Sequence, residues 1–197
     1  MSMKEAFDSY FKKLSLSNQE HTGHMPKVVY IKQCNLNGIY LMDTLDNYGY
    51  AEWQPVLQKG DFNFIELETK LGFSINPDIK DFYSTYWFMQ LYGNYNGYNV
   101  FIDKIPPNCD LEHRILSAYN HGDHDYMNPG IFFCIGDVDS DLLEDCSLYV
   151  ENNTGCVYGV DWNDASDSDY SKPFSECSFL ISDSLKNLIN ELKVKAT

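Results

Sequence analysis

Residues 76–91 read NPDIKDFYSTYWFMQL, and no other stretch limits the possible folds as tightly. Asn76 is a good helix N-cap, because its side-chain oxygen can accept from the unpaired N–H groups of a first turn. Pro77 follows at the first helical position, where its missing N–H costs nothing. Asp78 and Asp81 suit the positive end of the helix dipole. Ile79, Phe82, Tyr83, Tyr86 and Trp87 recur at helical spacing on one face, with Asp78, Lys80, Asp81, Ser84 and Thr85 on the other. Burying side chains of this size stabilises by about 1.5–3 kcal/mol each before entropy is counted. The helix is therefore expected to seat on a sheet. Tyr86-Trp87-Phe88 has strand composition, which predicts that the helix stops near Thr85 and feeds a strand.

The remaining pattern alternates short apolar runs with turn chemistry. Phe7, Tyr10, Phe11 and Leu14 predict an amphipathic helix over 4–14, followed by a polar loop over 15–26. Runs at 28–31 and 38–42, the turn at 46–49 and the run at 50–56 predict a hairpin whose second arm leaves the sheet at Pro55. A helix is expected over 62–71, capped by Asp61 and ended by Gly72. Two consecutive helices before a sheet argue against regular β-α-β alternation. Residues 86–91 and 98–103 read as hairpin arms around a Gly/Asn turn. A helix over 110–119, a loop over 120–130 and a buried strand over 130–135 follow. Next come an acidic loop over 137–145 and a hairpin with arms at 146–151 and 156–160. The polar, acidic segment 161–173 precedes a last helix, capped by Ser182 and Asp183 and running to 193, with Lys193 and Lys195 at its negative end. The sum is an α+β fold: one domain, a mostly antiparallel sheet and flanking helices.

At 197 residues the chain suits a single domain that buries roughly 70% of its unfolded surface and needs no staples. Its six cysteines include no C-x-x-C pair, and Cys134 and Cys156 lie in apolar runs, so free thiols are expected. No apolar run reaches the roughly 20 residues of a membrane span, and no leader pattern opens the chain, so a cytoplasmic location is expected. The net charge of −15 is concentrated late: residues 103–176 hold 16 Asp and Glu against Lys104, Arg114 and Lys172. Such a field repels phosphate backbones and anionic lipid, so neither nucleic acid nor direct lipid insertion is expected.

Several groupings could carry chemistry. His121-Gly122-Asp123-His124-Asp125 offers His and Asp in one loop, but ligands this close rarely close a tetrahedral site, and a solvated loop is the plainer reading. Asp137-Val138-Asp139-Ser140-Asp141 begins like a calcium loop, yet its sixth position is Leu142 and its twelfth Leu148, where Gly and Glu are required. No phosphate-binding, nucleophile-elbow or dinucleotide fingerprint is present. No catalytic residue, metal site or cofactor is assigned.

The ordered pieces do carry a resemblance. Trp53-Gln54-Pro55, Phe64-Ile65-Glu66 before Leu71-Gly72, and then Ile75, Pro77, Ile79, Phe82 and Tyr83 are followed by an apolar strand after Pro129. Asn153-Thr154-Gly155 in a strand–turn–strand and a helix after Ser182-Asp183 complete the set. Over roughly residues 50–195 this order resembles the Syd family of bacterial SecY-interacting proteins, with residues 1–50 matching weakly. Syd in turn resembles the SUKH superfamily, many of whose members look like immunity proteins against toxins. The resemblance implies a non-enzymatic binding protein with a Syd/SUKH fold. Its acidic surface would engage the basic cytosolic loops of the SecY channel, holding it peripherally at the inner membrane. The alternative it implies is an immunity protein covering a basic toxin such as a nuclease. A metal-dependent enzyme built on the 121–125 loop is a third reading. From charge, the expected partner-binding residues are Asp137, Asp139, Asp141, Glu144, Asp145, Asp161 and Asp164. Trp53, Pro55, Phe82 and Tyr83 match the family pattern and are read as holding the fold.

Overall fold

The computed structural model describes residues 1–122, 124–127, 130–140, 143–162 and 172–194, and leaves out the side chains of 143–145. The 76–85 segment is a helix, as its capping residues dictate. Its range is Pro77–Thr85 (α3), and the Asn76 side chain accepts from the Asp78 N–H at 2.9 Å. It ends where the chain turns extended at Tyr86, and Tyr86–Trp87 (β5) is a strand. Ile79, Phe82 and Tyr83 are fully buried.

α3 packs against the first helix, Met3–Thr22 (α1), through Phe82 stacked on Phe7 at 6.0 Å. α1 runs well past the expected end at 14, so most of the predicted loop is helix. The apolar stripe does end at Leu14, but nothing later stops the helix until Gly23. There φ is 73° and the backbone N–H returns to the Gln19 carbonyl. Asn18 in this polar half is buried and donates to the Leu14 carbonyl at 3.1 Å.

Lys27–Val29 (β1), Tyr40–Leu41 (β2) and Tyr50–Trp53 (β3) form a three-stranded sheet in the order β1-β3-β2. The expected hairpin forms, with β2 antiparallel to β3 (Tyr40 opposite Trp53), and β3 also pairs with β1, so that it lies between the other two. Two short 3₁₀ turns, Lys32–Cys34 and Met42–Thr44, interrupt the apolar runs. Trp53 is fully buried, and after half-buried Pro55 the chain enters Val56–Leu57 (β4), which pairs with β5. Phe64–Leu71 (α2) starts two residues late, at Asn63 and not Asp61. Phe64, Leu71 and buried Leu67 face the core, and Gly72 terminates the helix.

The rest is one antiparallel sheet: Leu91–Tyr95 (β6), Tyr98–Ile102 (β7), Phe132–Ser140 (β8), Leu143–Glu151 (β9), Val157–Val160 (β10) and Ser178–Ser182 (β11), in the order β11-β10-β9-β8-β7-β6. Leu111–Asn120 (α4), capped by Asp110, joins β7 to β8, and Phe174–Cys177 (α5) precedes β11. The sheet curls until its edges nearly meet. Tyr95 donates to Ser182 across the gap at 3.2 Å, Tyr98 stacks on Phe179 at 5.5 Å, and Lys193 exchanges backbone hydrogen bonds with Asn94. The last helix, Leu185–Glu191 (α6), is capped by Ser184 and not by Ser182 or Asp183, and its Leu185, Leu188 and Ile189 fill the hollow. Its C-terminal carbonyls are capped from α1: the Lys13 ammonium donates to the Leu192 carbonyl at 3.0 Å. That is the place expected for Lys193, which the curl draws into the sheet. Lys195 lies outside the described residues. All six cysteines are free.

Two contacts hold α3 in place. Asn152, buried in the β9–β10 turn, accepts the Asn76 N–H on its side-chain oxygen at 2.8 Å and donates to the Ser74 carbonyl at 2.9 Å. Glu68 of α2 pairs with Lys80 of α3 at 2.6 Å and accepts the Ile75 N–H at 2.7 Å. Asn152→Ala leaves an N–H and a carbonyl unpaired, an expected loss of about 2–4 kcal/mol, read as a fall of roughly 5–10 °C in Tm for a chain of this size. The Lys80 ammonium, aided by the Ile75 N–H, holds the Glu68 carboxyl below its ordinary value of 4.5. A depressed carboxyl stabilises above its unfolded pKa, and that contribution disappears as pH falls through the folded value. The Tm gap between wild type and Glu68→Gln is therefore expected to be full at pH 7 and to shrink below pH 4.5, measured by thermal melts down to about pH 3.

Candidate partner-binding face

β8 decides which carboxylates meet solvent. Phe133 and Ile135 point into the main core, so strict alternation would send Asp137 and Asp139 inward with them. The β8–β9 register instead shifts between Cys134 and Gly136, a bulge that resets the parity. Val138 turns inward and Asp137 stands exposed. Gly136 makes this possible: its φ is 153°, and a Cβ there would lie 1.9 Å from the Phe101 carbonyl oxygen.

The neighbouring strand completes the face. Phe101 of β7 lies directly opposite Asp137 and remains 43% exposed, a large ring left in water. Asn99, opposite Asp139, donates to its carboxylate at 2.7 Å. Asp103, just beyond β7, pairs with Arg114 of α4 at 2.7 Å. The arrangement is an exposed aromatic ring flanked by three carboxylates, with Asn99 and Arg114 fixing two of them. The family model described as Syd protein (SUKH-2) matches residues 4–105, more than half of the chain, from α1 through this strand.

The chain belongs to the Syd family.

The family match takes in the first fifty residues, which the sequence resemblance covered only weakly, and stops at 105. Phe101 and Asp103 of the face lie inside it, and Asp137 and Asp139 beyond it. No match is found among curated proteins. In this Syd-family chain the expected binding acids are only partly brought together. Asp137 and Asp139 share the face. Asp161 follows Val160, which aligns with Asp137 through Ser147, so it sits about 10 Å away across two strand spacings. Glu144 and Asp145 lie on β9, in strand and not in the expected acidic loop, and their side chains are outside the description. Asp141 and Asp164 lie outside the described residues. The strand residues at 137–140 and 143–145 were missed because Asp disfavours strands in general, yet an outward position such as that of Asp137 tolerates it. Phe101 and Asp103 were missed because Val100-Phe101-Ile102 is apolar throughout and conceals which side chain points out.

Beside the face is a pocket of about 190 Å³ lined by Asp103, Arg114, His121, Cys134 and Asp137. Tyr149 is its support: its hydroxyl accepts from the Trp162 indole at 3.2 Å and meets His121 Nδ1 at 2.9 Å. Burial pushes the Tyr149 pKa up, so the phenol keeps its proton. Burial also pushes the Cys134 thiol up to about 12, and its Sγ donates to the Gly136 carbonyl. A thiol so held is no activated nucleophile, although His121 lines the same pocket. His124 turns elsewhere and stacks on Tyr119 at 4.1 Å, while Asp123 is outside the described residues. Among the described residues no three His, Cys, Asp or Glu side chains are placed to hold a metal ion.

Gly136→Ala is expected to break the β7–β8 pairing at the bulge, at about 3 kcal/mol or more. Urea denaturation, and faster amide exchange in β7 and β8 than in β10, would register it.

Proposed function

We propose that this chain is a non-enzymatic binding protein whose outer β7–β8 face engages a basic protein segment, the cytosolic loops of SecY. The observation that carries this reading is Phe101, exposed opposite Asp137 and flanked by Asp103 and Asp139. Interfaces are anchored by aromatic side chains in a rim of steering charge. The channel loops that face the cytosol are rich in Lys and Arg, and the chain carries a net charge of −15. Membership in the Syd family supports a Syd-like or SUKH-type role in general. No described helix is long and apolar enough to cross a membrane. Association with the inner face of the membrane would therefore run through the channel protein and not through lipid.

The test is binding of the purified chain to detergent-solubilised SecY complex at low and high salt. Phe101→Ala is expected to weaken binding about tenfold, near 1.4 kcal/mol. Asp137→Lys is expected to weaken it further at low salt and to reduce its salt dependence. Absence of binding at low salt would reject the SecY reading. A basic toxin, sought by pull-down from the chain's own cells, would then be the partner to examine.

A further inference from the structure

A second feature opens on the same outer side of the sheet, toward the start of β8. A cleft of about 550 Å³ lies between the loop 124–127, residue 130 and the segment 172–175. This is the size of a small-ligand pocket. Its walls are aromatic. Phe132 forms the floor, Phe174 packs on it at 5.2 Å, and Tyr126 stands perpendicular to Phe174 at 5.8 Å. The Tyr126 hydroxyl donates to the Lys172 carbonyl at 3.0 Å, which ties one wall to the other. Behind them, Met127, Tyr149 and Val160 form a small separate core that holds the rings still.

The rim is acidic. Glu151 lies opposite Phe132 in the β8–β9 register, and Asp125 is exposed on the facing loop. Lys172 is the one cation among the described lining residues. Rings set at angles present π-faces as well as edges, and a ring face attracts a cation within about 6 Å. Carboxylates at the mouth pay part of the desolvation that an entering cation would suffer.

We infer that this cleft takes the cationic head of one basic side chain, a guanidinium or an ammonium, held on the rings of Tyr126, Phe132 and Phe174 and paired with Glu151 and Asp125. The partner-binding proposal is needed only to say where that side chain comes from. Phe132 and Asp137 lie five residues apart on the outer face of β8, about 16 Å at strand rise. One extended segment of about five residues would thus reach from the cleft to Phe101. The inference makes the partner's recognition two-point: a basic side chain in the cleft, and a basic stretch along the carboxylates.

The probe is N-acetyl-arginine amide, titrated into the full chain carrying ¹³C-methyl methionine and followed at the Met127 methyl by NMR. N-acetyl-citrulline amide serves as the neutral isostere. Saturable shifts with the arginine probe alone, lost in Phe174→Ala and reduced severalfold in Glu151→Gln, are the expected result. Asp137→Lys should leave them intact, which separates the cleft from the β7–β8 face. Equal response to the citrulline probe would overturn the inference, as would shifts that persist in Phe174→Ala and Glu151→Gln together. No response at Met127 would overturn it too, whatever SecY binding shows.

Discussion

The pairing of Asn76 with Asn152 is the constraint on which the other packing rests. Helix α3 has a large aromatic face, but apolar contact is non-directional and would let the helix rotate or slide. Asn152 removes that freedom. Its side chain receives the first N–H of the helix cap and returns a donor to Ser74, while the Asn76 amide donates to the Asn152 carbonyl at 2.9 Å. A buried amide with unpaired atoms is costly, so the geometry is held in one arrangement. From that fixed end, Phe82 meets Phe7 of α1, and α1 in turn sends Lys13 to cap α6. Helices from opposite ends of the sequence thereby share one layer against the concave side of the curled sheet.

The convex side has a different logic. Six strands curled this tightly expose a broad outer surface, and an ordinary sheet would cover it or make it uniformly polar. Here it is divided. Near the start of β8 a small aromatic core around Tyr149, with Trp162 and His121 meeting on its hydroxyl, backs the cleft. Past the Gly136 bulge the surface is open, and carries Phe101 among carboxylates. Like charges packed together repel, and two devices offset this. Arg114 neutralises Asp103, and Asn99 donates to Asp139. Neither covers Phe101.

This division gives a Syd-family member a surface with direction. In the function proposed above, charge would draw a basic partner toward this side and raise encounter rates. Fixed rings at two separated places would then set the register of that partner. Charge alone would leave the partner free to slide along the strands. Aromatic anchors alone would not select basic over neutral segments.

Much of the scaffold was legible in local sequence. Asn76-Pro77 and the spacing of Ile79, Phe82 and Tyr83 mark α3 to the residue, and Asn153-Thr154-Gly155 marks the β9–β10 turn. These signals are short in range: a cap, a turn and a period each act within a few residues. What failed needed a neighbour. The 15–22 half of α1 has no apolar stripe and stays helical because Gly23 is its first stop. The placement of β3 between β1 and β2 is a matter of which backbones pair, and no residue announces it. The acidic run after Ile135 read as loop because Asp is a poor strand former, yet β9 and β7 supply the backbone partners that make it strand. The sequence alone determined an α+β chain with an acidic second half and an aromatic-faced helix at its centre. Only the tertiary structure decided that Asp137 and Asp139 face water beside Phe101, because the parity of a strand is set by a bulge, and a bulge exists only between two paired strands.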